Sequence, residues 1–449
     1  MNVLLVSANR LKIPYPVYPL GLDYVANALS AEHQVRLADM NEMENSDALV
    51  EKIHEFEPDV VGLSLRNIDN CDITAPKGYM AEYRELARTV RKESNALLIL
   101  GGSGFTLFPR EIMEALGADY GIIGEGERLS LLLKAITAHE ETLGIPGVIQ
   151  PGSNGTMPGP WKGTLARGLH EDRFHIPFYL KNGGMLNLQT KRGCNFKCIY
   201  CTYPHIEGKK LRLIPPKEVA NTALWIERTG ARYFFVTDSA FNADYPHSIE
   251  VARAFKRSGV SIPWGAFFAP TSPPADYYRI LADAGLTHVE FGTESLADNV
   301  LASYRKPFRA DHVVCSHNAA RDAGLHVAHY FLLGGPGEDT HSLEKTLTGA
   351  NRLEKAVFFF FCGMRIYPHT ALHGMAIASG QISASRSLME PVFFEPGTVA
   401  SEEILLRVKD HAGKRSNWVA GAGEDMTGRI IPRLYARGHV GPLWEHLIR

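Results

Sequence analysis

The sequence predicts an α/β protein: a flavodoxin-like doubly wound domain, then a partial (β/α)6 barrel and a small C-terminal region. Three observations predict it. Short apolar runs alternate with amphipathic stretches of about 10–15 residues over 1–135, and the same rhythm returns at 184. Between them PGSNGTMPGPWKG (151–163) is dense in Gly and Pro, which punctuate regular structure. A length of 449 residues suits domains of unequal size followed by a tail.

In chain order, NVLLVSA reads as a strand, GLDYVANALSAEH as a helix and QVRLADM as a strand. A helix around 46–56 leads to DVVGLSL, one around 79–93 to ALLILGG, and one over 109–117 to ADYGIIG. Five such strands fit a flavodoxin-like sheet over 1–140, whose ligand site lies beyond the carboxyl ends of the strands. Residues 141–183 form a linker, in which DRFHIPFYL (172–180) is expected to pack across the domain seam. The barrel is assigned to 184–395, with strands at 185–190, 233–237, 262–268, 288–293, 326–333 and 357–363. PPKEVANTALWIERTG and DTHSLEKTLTGANRLEKA are among its helices. Six such units make a partial barrel, whose chemistry belongs at the C-terminal strand ends. The extension 396–449, with Trp418 and GAGED (421–425), has no residue-level assignment.

Composition narrows the functional classes. Hydrophobic residues at 45% and charged residues at 21% are ordinary for a globular chain. A net charge of -2 gives no case for nucleic-acid or anionic-membrane binding. The N-terminus lacks the basic and apolar regions of a signal peptide, and no apolar run approaches the ~20 residues of a membrane span. VFFFFCGM (357–364) reads as a buried strand. A cytoplasmic, reducing setting is expected, where a disulfide framework is disfavoured. Cys71, Cys315 and Cys362 then read as small buried hydrophobes.

The other three cysteines crowd into GCNFKCIYC (193–201), at C-x3-C-x2-C spacing just after the first barrel strand. Clustered thiols in such a setting are metal ligands or redox pairs. A structural zinc wants four ligands, and His205 stands near enough in sequence to be the fourth. A cuboidal iron–sulfur cluster on three thiolates would instead leave one iron open to an external ligand.

The motif at this place in a β/α barrel resembles the radical S-adenosylmethionine (SAM) superfamily. The resemblance implies that Cys194, Cys198 and Cys201 hold a [4Fe–4S] cluster whose fourth iron is chelated by SAM, with Tyr200 near the adenine. FFVTDSAFNAD (234–244) resembles the second-strand segment of members that carry a cobalamin-binding domain; Asp238 and Phe241 keep their places, while Ser239 stands where a second Asp is usual. Asp238 is thereby expected to contact the SAM amino group. EFGTESL (290–296) resembles the fourth-strand segment, which brings Glu294 and Ser295 to the SAM ribose or carboxylate; without the resemblance Glu294 reads as a solvated helix cap. FLLGGPGED (331–339) resembles the glycine motif near adenine, with Gly334 and Gly337 as candidates, although a tight turn alone also asks for Gly. GMRIYPHTAL (363–372) resembles a sixth-strand signature in which His369 replaces the usual Gly; it faces either substrate or solvent.

The first domain adds SLRNID (64–69), GGSGFTLFPRE (101–111) and DYGIIGEGE (119–127), which resemble the cobalamin-binding domain joined to many such enzymes. Ser64, Arg66, Asn67, Gly101, Gly102, Ser103, Gly104, Gly124 and Glu125 are the cofactor candidates. From the residues themselves, the glycines at 101, 102 and 104 let backbone pass close to a large ligand, and a following helix N-terminus can donate to it. ANRLKIPYPVYPLG contains no Asp-x-His-x-x-Gly, so the resemblance implies base-off cobalamin without a histidine ligand, Arg66 and Asn67 lying by its lower face. A scaffold domain without cobalamin is the alternative.

As implied by the resemblance, the reaction is hydrogen abstraction by a 5′-deoxyadenosyl radical and delivery of a methyl group from methylcobalamin to an unactivated carbon. A non-methylating radical reaction, such as ring closure, oxidation or rearrangement, is the enzymatic alternative. A cluster-bearing electron-transfer protein would call for a second cysteine cluster, which the sequence lacks. The expected partners are a small-molecule substrate and an electron donor such as flavodoxin or ferredoxin. Trp264, Phe267, Phe268 and the Phe run 358–361 lean weakly to a hydrophobic substrate and otherwise pack the core.

Overall fold

The computed structural model describes residues 1–12, 15–43, 45–153, 155–165, 167, 175–421 and 424–448, with side chains described from 430 onward in the last stretch. Residues 172–174 of the expected seam segment and 422–423 of GAGED lie outside the described residues.

The first domain is one six-stranded sheet of β1 (Asn2–Ser7), β2 (Gln34–Asp39), β3 (Val60–Ser64), β4 (Leu97–Gly101), β5 (Tyr120–Ile122) and β6 (Val148–Ile149), in the order 2-1-3-4-5-6. The first five run parallel, and β6 turns back antiparallel on β5. Helices cover both faces, which is why β1 and β3 are apolar along nearly their whole length. Leu22, Val25, Leu129 and Leu132 close one face, while Leu49, Ile53, Leu86, Val90 and Ile112 close the other. This is the 2-1-3-4-5 strand order of the flavodoxin-like fold, plus a short edge strand that the sequence pattern does not announce.

The second domain holds β7 (Met185–Leu188), a small antiparallel pair β8 (Lys191–Arg192) and β9 (Arg212–Leu213), then β10 (Tyr233–Val236), β11 (Trp264–Phe268), β12 (Leu286–Glu294), β13 (His326–Leu333) and β14 (Ala356–Cys362). A second antiparallel pair, β15 (Met364–Arg365) and β16 (Phe393–Phe394), precedes β17 (Trp418–Ala420). The main sheet is parallel throughout, in the order 17-14-13-12-11-10-7. Its seventh strand comes from the tail, whose helix Ser401–Ala412 delivers β17 to the free edge of β14. Further along, Trp444 and Leu447 pack with Val357 and Phe359 on the inner face of the sheet. There the Trp444 Nε1–H donates to Glu290 Oε1 at 2.9 Å. The tail thus closes the inner face of the barrel.

VFFFFCGM does form a buried strand. Phe358 and Phe360 pack outward with Trp418, while Phe359 shares the inner cluster. Trp264 and Phe268 are core, but Phe267 is 39% exposed and stands among the residues at the strand-end cleft described below. Among the described residues no helix is long and apolar enough to cross a membrane.

Buried ion pairs made by three arginines fix the joint between the domains. Arg192 of β8 reaches Glu125 and Glu127 at 2.7 and 2.6 Å, Arg365 of β15 reaches Asp69 at 2.9 Å, and Arg167 of the linker binds Asp23 at 2.5 Å and donates to the Asn187 carbonyl. A buried pair is weak ground for stability against an apolar isostere, yet losing one partner leaves an uncompensated charge. The joint therefore tolerates the loss of none of these partners singly.

Candidate functional site

The cysteine loop follows β7 and β8 at the carboxyl end of the main sheet. Cys194 is buried, and Cys198 and Cys201 are half-buried. Backbone bonds shape the loop: the Cys194 N–H donates to the Gly208 carbonyl at 3.1 Å, and the Ile199 N–H to the Tyr304 carbonyl at 3.2 Å. Gly193 takes φ +87, and a Cβ there would lie 2.2 Å from the Lys210 carbonyl, so the turn into the loop admits only glycine. Glu207 secures it from below, accepting from the Gly193 N–H at 3.0 Å and from Gln189 at 3.1 Å.

Among the described residues no three His, Cys, Asp or Glu side chains gather where one ion would sit. His205 is turned aside, its ring stacked on His369 with centroids 4.2 Å apart. The zinc alternative therefore loses its fourth ligand. Thiolates bound to separate irons of a cube stand wider apart than ligands of one ion, and a loop with three thiols and no fourth protein donor fits that demand. Burial pushes the Cys201 thiol up to about 12, so a thiolate there calls for a compensating cation such as iron.

Tyr200, between the second and third cysteines, donates to Glu294 Oε1 at 2.6 Å, and Lys306 Nζ reaches the same oxygen at 2.7 Å. Glu294 ends β12 at a register shift, with φ +60 and 7% exposure. It is neither solvated nor a helix cap. Burial works against the charge on Lys306, but contact with Glu294 more than restores it. Lys306, within YRKPFR (304–309), carries no spacing signal in the sequence, and only the fold brings it here.

Several of the residues expected at the cofactors have partners within the chain. Asp238, 2% exposed, accepts from the Thr190 N–H and hydroxyl and from Lys191 Nζ at 2.8, 2.5 and 2.6 Å. Its two oxygens are thus occupied by this chain, which also explains why β7 stops before Thr190. Phe241 is buried against Trp264 and Phe268. The Ser295 hydroxyl pairs with Thr346 at 2.8 Å and accepts from the Ala297 N–H. Gly334 and Gly337 both take positive φ in the turn after β13, where Glu338 accepts from the Gly334 N–H. The Glu125 carboxylate is engaged by Arg192, Arg212 and the Trp161 N–H.

In the first domain a cleft of about 490 Å³ opens at the carboxyl ends of β1, β3, β4 and β5. It also touches Asn187, Gln189, Thr237 and Phe267 of the barrel, so the two domains share it. Ser64, Arg66, Gly101, Gly102, Ser103, Gly124 and Glu125 line it. Asn67 is half-buried, and its carbonyl accepts from the Tyr83 hydroxyl. Arg66 lines this half-open cleft with its side chain partly exposed, and desolvation by the surrounding protein lowers its pKa. Its carbonyl accepts from the Ser103 hydroxyl at 2.7 Å.

The glycines divide. A Cβ on Gly102 (φ +98) would lie 2.6 Å from the Leu65 carbonyl, and one on Gly104 3.0 Å from it, so both answer to this chain's own backbone. A Cβ on Gly101 would meet nothing nearer than 3.9 Å, and one on Gly21 nothing within 4 Å. Small residues that hold space open in a largely apolar, strand-end cleft fit a bulky organic ligand such as cobalamin.

Comparison with known proteins agrees with these two sites. Residues 6–133 match the family model of the B12 binding domain, and 188–348 match that of the radical SAM superfamily. The cytidylyl-2-hydroxyethylphosphonate methyltransferase of Streptomyces wedmorensis is 26% identical, over 88% of this chain and 85% of its own. The tryptophan 2-C-methyltransferase of Streptomyces laurentii is 22% identical, over 83% and 74%. The radical SAM methyltransferase TsrM from Kitasatospora setae, solved with tryptophan and a SAM analogue, shares the fold at a TM-score of 0.86 and 21% identity, over 99% of this chain and 97% of that one. TsrM has also been solved with cobalamin and a [4Fe–4S] cluster. With both its domains matched in order, this chain belongs to the radical SAM superfamily, among the members that carry a B12 binding domain ahead of the barrel.

Proposed function

We propose that the protein is a cobalamin-dependent radical SAM methyltransferase that adds a methyl group to an unactivated carbon of a small molecule. The observation that carries this reading is the shared cleft: the strand ends of the first domain open onto the same space as the first strands of the barrel, beside the cysteine loop. The methyltransferase relatives favour methylation over a ring closure or oxidation built from the same parts.

When bound, the cluster with SAM supplies hydrogen abstraction and cobalamin supplies the methyl group. Cys194, Cys198 and Cys201 would hold the cluster. Glu294, Lys306 and Tyr200 offer a carboxylate, an ammonium and a phenol beside it, the complement of an amino-acid end and a ribose. Arg66 and Ser64 would face cobalamin bound base-off, with no histidine ligand, and Gly101 and Gly21 would leave it room. Phe267 and the surrounding barrel walls exclude water, as a reactive intermediate requires. The substrate class is a small molecule with an apolar part. The chain needs an external one-electron donor, such as flavodoxin or ferredoxin, and its free thiols suit the cytosol.

The test is anaerobic reconstitution with iron, sulfide and hydroxocobalamin, followed by metal analysis and product mass. About four irons with one cobalt, and a product heavier by one methylene unit, is the expected result. Iron without cobalt, or a product of unchanged carbon count, would overturn the methylation reading.

A further inference from the structure

The chain carries a net charge of only -2, yet four cations around the cysteine loop have no neutralising partner. Lys197 lies on the loop itself. The bond from Cys194 to Gly208 brings Lys209 and Lys210 to one end of it, and the bond from Ile199 to Tyr304 brings Arg305 to the other. All four side chains are exposed, and none has an ion pair or side-chain hydrogen bond among the described residues. The carboxylates nearest the loop are already engaged: Glu207 by Gly193 and Gln189, Glu294 by Lys306, and Asp298 by Arg309.

The opposite side of the loop is closed. Ile199 is buried in the core that also holds Phe105, Leu107 and Phe108 of the first domain. The short helix Tyr203–Ile206 lies against the segment Ser103–Leu107. A macromolecule can therefore approach the cysteines from the rim that bears Lys197, Lys209, Lys210 and Arg305.

We propose that this rim is the docking surface for an acidic one-electron carrier protein of the flavodoxin type. The proposal rests on the reading of the loop as the holder of a redox cluster, and it names the face through which that cluster is reduced. The carrier's anionic flavin hydroquinone gives up one electron and becomes the neutral semiquinone. The cluster's charge falls by one, and no proton or bond changes hands. Four exposed cations within one loop and its two neighbours attract an acidic partner over about a Debye length, ~10 Å at 0.1 M salt, and steering of this kind raises association rates by roughly 10–10³-fold.

The experiment uses the full chain reconstituted with iron and sulfide, with photoreduced flavodoxin as the probe. Stopped-flow bleaching of the cluster gives the second-order rate, and quenching of flavin fluorescence gives the Kd of oxidised flavodoxin. The fourfold variant K197E/K209E/K210E/R305E is expected to lose about tenfold or more of the low-salt rate, and to flatten its salt dependence. Photoreduction by 5-deazaflavin, too small to need docking, is expected to stay at the parent rate. The pair K209Q/K210Q lies outside the C-x3-C-x2-C span and provides a milder variant with parent iron content and an intermediate loss. Equal flavodoxin rates and Kd values in parent and variants would overturn the docking surface. Bleaching by 5-deazaflavin but not by flavodoxin in the parent protein would overturn the docking surface alone, and failure of both reductants would overturn the cluster reading and the docking proposal with it.

Discussion

Asp238 and Glu294 stand at the carboxyl ends of neighbouring regions of one sheet, just past β10 and at the last residue of β12, and sequence motifs offer both to the same cofactor. Their surroundings differ. Each oxygen of Asp238 accepts from a donor belonging to the loop after β7, so the carboxylate ties one strand end to the next. Both partners of Glu294 converge on Oε1 alone, and its backbone sits at φ +60. A left-handed non-glycine residue stores about 1–3 kcal/mol, and such strain clusters at functional sites. One carboxylate has both oxygens tied into the architecture, and the other keeps one oxygen unpaired.

Substitution should separate the two. In D238N the amide NH2 must face a donor whichever way it turns, and Lys191 loses its counter-charge; a cost of about 3–5 kcal/mol is expected in urea unfolding. In E294Q Lys306 also loses its counter-charge, but the NH2 can occupy the free Oε2 position and no donor is left facing another, so the loss of stability should be the smaller of the two, while the Kd for SAM measured by equilibrium dialysis rises about tenfold. Equal losses of stability in the two variants would erase the distinction.

The glycine pair sharpens the same contrast in the first domain. G102V puts a Cβ against the Leu65 carbonyl at a positive φ, and should cost several kcal/mol in thermal unfolding, of the order of other strained or overpacked sites. G101V projects into the cleft instead. It should leave the melting temperature near that of the parent while weakening cobalamin binding about tenfold or more, read from the cobalamin spectrum after desalting.

A third region, the outer face of the barrel, provides a control remote from both cofactors. His317 and His329 are hydrogen-bonded at 3.1 Å; burial lowers the pKa of both, His317 to about 4, with Arg321 adding to the effect there. Both are neutral when folded, and the unfolded chain binds more protons below its ordinary histidine pKa of about 6.5. Their contribution is therefore complete above about pH 6.5 and falls below it, that of His317 being lost as pH drops through about 4. The urea midpoint at pH 5 should lie below that at pH 7, and H317L/H329F should narrow the gap. A modest effect is also expected for W444F, which removes the donor to Glu290 and should cost about 1–3 kcal/mol, visible as a drop in melting temperature.

Periodic patterns carried much of this molecule. The runs at 3–6 and 60–63 are apolar because helices cover them on both sides, and that requirement is local enough to be read directly. β17 was not legible: WVA is three residues long, and it becomes a strand because β14 presents an unpaired edge beside it. At the site, the C-x3-C-x2-C spacing was legible because one short loop must supply three thiolates. Lys306 was not, since nothing in its neighbours marks it, and its partner Glu294 is twelve residues away across a β-strand end.

The sequence by itself therefore determined the order of the two domains, the strand ends where ligands belong and the cysteine loop that faces them, because each depends on residues close together in the chain. Tertiary structure alone decided which matched residues are free to act. It locked Asp238 to Lys191, Glu125 to Arg192 and Gly102 to Leu65. It left Arg66 and Gly101 facing the shared space and one oxygen of Glu294 without a partner beside the cysteine loop, because hydrogen-bond partners and open volume are set by segments that meet only when the chain is folded.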